Sequence, residues 1–153
     1  AAISLMRASN ADESSAAIEL GTTIARREAE QQLLDVGAEI QQALRSYAGL
    51  APTSIGAPGF HGPRSLEELL KDARTPGVRR HLRKLYADPL TGKPEWGLVT
   101  DSEGFILGVY SRADGKPIKQ NGFDPRFASF EKADTYHQWV FGLPIVQRVH
   151  ERR

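Results

Sequence analysis

The chain has 153 residues, no cysteine, and a net charge of +1 from 20 Lys+Arg against 19 Asp+Glu. Those values exclude disulfides, thiolate metal sites and cysteine nucleophiles. A near-neutral balance also argues against a broad electrostatic surface for nucleic acid. One domain of this length buries a core without staples, and no stretch approaches the ~20 apolar residues of a membrane span.

Residues 1–15 (AAISLMRASNADESS) lack periodicity and are expected to form a vector-derived or disordered leader, which leaves 16–153 as a single globular domain. A helix is predicted from about Ser14 to Tyr47, and its two halves differ. Leu33, Val36, Ile40, Leu44 and Tyr47 recur every three to four residues and line one face with apolar groups. Upstream, residues 22–32 (TTIARREAEQQ) are almost all polar. The second half can dock on a core; the first should protrude. Its alternating charges Arg26, Arg27, Glu28 and Glu30 read as a solvated face.

Gly and Pro crowd residues 49–63 and mark a surface connection. Ser65-Leu66-Glu67-Glu68 fits a capping box, in which the Ser65 hydroxyl accepts from the Glu68 amide and Glu68 reaches back. Leu66, Leu69 and Leu70 supply the buried face of that short helix. Thr75-Pro76 restarts a second short helix, with Val78, Leu82 and Leu85 on one face, and Asp88-Pro89 ends it. The period then changes to two. Trp96–Thr100 and Phe105–Ser111 read as a hairpin around Asp101–Gly104. A charged loop spans Ala113–Asp134, and Thr135–Phe141 (TYHQWVF) reads as a third strand.

Candidate chemistry is sparse. His61, His81, His137 and His150 are far apart and lack metal-site spacing. There is no nucleophile elbow, Walker loop or dinucleotide fingerprint. Glu67 and Glu68 sit where acidic residues suit a helix start. Arg79, Arg80, His81, Arg83 and Lys84 form a basic cluster. No base-stacking aromatic residues interleave with it, so it reads as the solvated face of an amphipathic helix, and no nucleic-acid partner is expected. Asp114-Gly115 and Asp134 close the charged loop and could offer oxygen ligands to Ca2+, although Lys116, Lys119, Arg126 and Lys132 between them favour a simple turn.

Three stretches together resemble a known family: ARREAEQQLLDVGAEIQQALRSY, PRSLEELLKDARTPGVRRHLRKLYADPLTGKPEWGLV, and SRADGKPIKQNGF with FEKADTYHQWVF. Their order resembles the periplasmic part of a type II secretion pseudopilin, within the type IV pilin-like superfamily. The middle stretch is the most specific, with a capped SLEELL helix and then an Asp-Pro turn before the first strand. The resemblance implies a non-catalytic filament subunit whose partners are other pseudopilin or pilin subunits and the secretion machinery. It further implies an apolar N-terminal segment, exposed by a prepilin peptidase. That segment anchors the subunit in the inner membrane, with the globular part in the periplasm. Ala17-Ile18-Glu19-Leu20 mimics a fragment of such a start but is followed by polar residues, so the match is treated as accidental. Many pilins close their C-terminal loop with a disulfide, which this chain cannot form. Major pseudopilins order it with calcium, and Asp114 and Asp134 best match their acidic ligands.

The expected fold is α+β: a long N-terminal helix packed on a small antiparallel sheet, pilin-like, with two short intervening helices. Leu33, Val36, Ile40, Leu44, Trp96 and Trp139 are its expected core. Two other classes stay open. One is a soluble periplasmic binding or adaptor domain that uses exposed Phe60, Phe123, Phe127 and Phe130. The other is a small hydrolase with a site assembled from no known motif.

Overall fold

The computed structural model describes residues 2–49, 62–74, 76–144 and 146; within the first helix, side chains are described for 17, 18 and 20–47. Phe60, His61, Thr75 and His150 lie outside the described residues.

One helix, α1 (Ala2–Tyr47), precedes a three-stranded antiparallel sheet of β1 (Gly97–Thr100), β2 (Ile106–Tyr110) and β3 (Phe141–Gly142) in the order β1-β2-β3. The fold is α+β. Helical backbone already begins at Ala2, where the sequence suggested a structureless leader and a start near Ser14. At 1.5 Å per residue, 46 helical residues span about 69 Å. Among the described side chains of the helix, contacts with the rest of the chain run from Arg26 onward.

The second half carries the predicted stripe. Leu33, Ile40 and Leu44 are buried against the sheet, and Val36 packs beside them. Gly37 makes the close approach possible, because a Cβ there would stand 2.4 Å from the Phe141 ring. Gln41 fixes the register by donating from Nε2 to the Gly142 carbonyl at 3.0 Å. Trp96 and Trp139 are buried as well, and the Trp96 indole donates to the Tyr86 carbonyl at 2.9 Å.

The hairpin pairs Gly97 with Tyr110 and Val99 with Gly108, with an irregularity between Val99 and Thr100. Asp101 holds its turn, accepting from the amides of Glu103 and Phe105. Local polar side chains thus set the turn, as short-range Asx chemistry predicts.

Three local expectations fail, each for a visible reason. Residues 135–141 are not a strand. Tyr136–Gln138 is a 3-10 turn, stabilised by Gln138 reaching back to the amide of Asp134 at 2.6 Å. In that geometry positions i and i+3 align, so Tyr136 and Trp139 enter the core together, ring centroids 5.5 Å apart, and only Phe141–Gly142 pairs with β2. The second short helix is also absent. The chain instead folds back at Pro76–Gly77, where Gly77 takes φ +85, and the backbones of Asp72 and Arg79 exchange two hydrogen bonds. Leu82 is still buried there, whereas Val78 is 55% exposed. Finally, the first short helix is a 3-10 turn, Leu66–Leu69, and Ser65 caps it with its carbonyl, not its hydroxyl. Glu68 reaches back one residue further than expected, to the Arg64 amide at 3.0 Å, and also accepts from the Tyr47 hydroxyl at 3.0 Å.

Aromatic packing completes the core. Phe127, Phe130 and Phe141 cluster with centroids 5.0–5.5 Å apart, and Phe130 stacks on Trp139 at 5.7 Å. Phe127 and Phe130 are therefore interior residues, and Phe123 is half-buried against Trp139. Three of the aromatic contacts suggested for an adaptor surface are spent inside the fold.

Candidate functional site

Three features of α1 bear on function: its exposed first half, a clasp near its middle, and a second clasp at its end. Where its side chains are described, the first half is exposed. Ile18 is 69% exposed, Leu20 62% and Ile24 50%, and the residues between them are exposed too, apart from 19, which has no described side chain. Among the described residues no helix is long and apolar enough to cross a membrane.

The middle clasp is built on Glu30, which lies one turn before Leu33 on the buried stripe. Its carboxylate is 2% exposed and accepts from the amides of Ile118 at 2.7 Å and Lys119 at 3.1 Å, and from the Tyr136 hydroxyl. Arg26, one turn earlier, donates to that hydroxyl through Nε at 2.9 Å and to the Lys116 carbonyl through Nη2. Both carboxylate oxygens of Glu30 find donors, which is the condition for a buried carboxylate to stabilise rather than strain a fold. Burial first, and the Glu30 carboxylate second, push the Tyr136 phenol up to about 12. Arg26 and Glu30 are thus committed within the chain, while Arg27 and Glu28 stay exposed. An open groove of about 410 Å3 lies alongside, bordered by Arg27, Ile118, Lys119 and Asn121.

At the other end, His81 bridges Ser46 and Asp72. Its Nε2 lies 2.8 Å from Asp72 Oδ2 and its Nδ1 2.6 Å from Ser46 Oγ. Arg74 grips the same carboxylate through Nε at 2.9 Å and Nη2 at 2.8 Å, and its guanidinium lies 3.5 Å over the Tyr47 ring. That grip, with the His81 contact helping, holds the Asp72 carboxyl well below the usual carboxylate range. The order Ser–His–Asp invites comparison with a nucleophilic triad. The surroundings oppose it. Ser46 sits in the last turn of α1, where carbonyl dipoles disfavour developing negative charge. The nearby amides of Ala48 and Gly49 are already donated to Leu44 and Ser46 carbonyls. The cluster ties the end of α1 to the 72–81 turn.

Asp114 and Asp134 are exposed, and Asp134 offers its amide to Gln138. Among the described residues no three His, Asp or Glu side chains converge as a metal site needs. Arg79, Arg80, Arg83 and Lys84 are exposed, with Lys84 Nζ 5.1 Å over the Tyr86 ring. Sequence reasoning placed Glu30 on a solvated face and passed over Tyr136 and Asp72. For Glu30 a signal existed: an acid on the apolar stripe of a helix must have a partner inside. No protein-family model, curated protein or solved structure matches this chain.

Proposed function

We propose that this chain is a structural subunit of a type II secretion pseudopilus or a related type IV pilus-like filament, assisting protein export across the outer membrane. In this reading an apolar segment N-terminal to the exposed half of α1 lies in the inner membrane, and the globular part stands in the periplasm. The observation that carries it is the lopsided helix: the stripe from Leu33 to Leu44 is buried on the sheet, whereas Ile18, Leu20 and Ile24 are bare. A folded head on a protruding helix with apolar groups suits lateral helix packing between copies, and a repeated heterologous contact of that kind generates an open filament. The three stretches quoted above are the second support, because their order matches the pilin-like pattern.

The test uses the absence of cysteine. Ile24→Cys, introduced into the complete reading frame in its own cells, supplies a defined thiol in the exposed half. A bifunctional thiol-reactive cross-linker is expected to yield a ladder of multimers in the inner-membrane fraction. A product that is entirely soluble and monomeric after cross-linking refutes the reading.

A further inference from the structure

Charge in this chain is unevenly placed. Residues 71–84 hold Lys71, Arg74, Arg79, Arg80, Arg83 and Lys84 against Asp72 alone, so the remainder of a chain of net charge +1 carries −4. Asp72 is spent on Arg74 and His81. The backbone of Arg79 is pinned to Asp72 by two hydrogen bonds. Among the described residues, the side chains of Arg79 and Arg80 have neither an ion pair nor a hydrogen bond, and both are exposed. With exposed Val78 at their side, they form a fixed basic finger.

The opposite charge lies on α1. Glu28, Asp35 and Glu39 fall on one helical face with Gln31, Gln32 and Gln42, all exposed, and no cation stands among them. Glu39, at the lower end, hydrogen-bonds Tyr86 of the same chain. Asp35 meets only Gln31, at 3.1 Å, and Glu28 has no partner among the described residues. The chain's own finger is tethered beside Ser46 through His81. Asp35 and Glu28 lie roughly 16–27 Å further up the helix axis, so one copy cannot satisfy both patches within itself.

We propose that the finger 76–84 of one copy docks on the Glu28–Asp35 face of α1 in a second copy. This deepens the filament reading and rests on it. The two patches are different surfaces at different heights, so the contact is heterologous and leaves a free finger at one end and a free acidic face at the other. Repeated, it propagates. Anionic membrane fits less well, because the finger sits about 44 Å along α1 from Ile18, at the end remote from the exposed half. Nucleic acid fits less well, because no aromatic residue accompanies the arginines for stacking.

The experiment pairs Gln32→Cys with Val78→Cys, exposed uncharged positions on the two patches, in the complete protein, these 153 residues supplying no other cysteine. It runs Ile24→Cys in parallel as an independent reporter of assembly, with thermal melts to confirm that each variant folds. The expected result is a multimer ladder that needs both cysteines of the pair. On the Ile24→Cys background, Arg79→Glu/Arg80→Glu should weaken the ladder about tenfold, and adding Glu28→Arg/Asp35→Arg should restore it. An Ile24→Cys ladder without the Gln32–Val78 product, or without rescue by the charge swap, overturns the docking proposal and leaves the filament standing. Absence of both ladders overturns both. Binding of anionic phospholipid vesicles or duplex DNA that is lost in Arg79→Ala/Arg80→Ala, with no Gln32–Val78 product, assigns the finger to another partner and also overturns it.

Discussion

Replacing Glu30 by alanine removes the acceptor that three donors share. The amides of Ile118 and Lys119 and the Tyr136 hydroxyl all point at a carboxylate that is 2% exposed. Hydrogen bonds to a charged group are worth about 1.5–3 kcal/mol each, and a buried donor left without a partner costs about 1–3 kcal/mol. The three do not add in full, because the adjoining groove admits water to the Lys119 side. An expected loss of about 3–5 kcal/mol follows, a large fraction of the ~5–15 kcal/mol that holds a domain together. At roughly 2–4 °C per kcal/mol for a protein of this size, Tm should fall by about 10 °C. Denaturant unfolding measures the loss, and amide exchange at Ile118 and Lys119 locates it. Tyr136→Phe alone removes one of the three donors and also the acceptor used by Arg26 Nε, for about 1–2 kcal/mol. The double variant should cost less than the sum of the two, since the changes share a contact. If Glu30→Ala melts within about 2 °C of the parent, with exchange at the two amides unchanged, then Glu30 does not hold this loop and the reasoning fails.

The other expectations are simpler. Ile40→Ala, at a fully buried stripe position, should cost about 2–5 kcal/mol in denaturant unfolding, and an unchanged midpoint would place it outside the core. Gly37→Ala gains about 1 kcal/mol of helix propensity. Its Cβ would meet the Phe141 ring at 2.4 Å, so overpacking of about 1–3 kcal/mol should win and Tm should drop; a rise would mean the helix rides higher on the sheet. Alkaline stability follows Tyr136. With the folded phenol pushed up to about 12 from 10.0, its contribution of about 2–3 kcal/mol is complete below pH ~10 and lost as pH rises towards 12. A pH series of unfolding midpoints should show that loss in the parent and a shallower one in Tyr136→Phe.

The parts of the fold legible in the sequence are those where a periodic pattern and a long element coincide. The stripe Leu33–Leu44 could be placed because four apolar residues at helical spacing have one way to be buried together. The hairpin could be placed because Asp101-Ser102-Glu103-Gly104 supplies both an Asx acceptor and, at Gly104, a φ of +88. The misreadings share a cause. Thr75-Pro76 is a good helix start, yet the 72–81 turn is decided by Asp72, which gathers Arg74 and His81 from across it, and by a left-handed Gly77. Residues 135–141 carry strand-forming side chains, yet Tyr136 must turn inward to meet Glu30, 106 residues away. Contacts at that range leave no local periodicity to read.

The same contrast explains why the candidate site was harder to see than the core. Glu30 has the composition of a solvated residue and the position of a buried one, and only position decides. An acid in register with Leu33 and Gly37 cannot face water, so it has to bring donors with it; it takes two from the backbone of the charged loop and one from Tyr136. The loop at 116–119 is therefore ordered from the helix, by negative charge offered to its amides, and its Lys116 and Lys119 are compatible neighbours for that charge. Ile24, Arg27 and Glu28 point away from that face and remain at the surface.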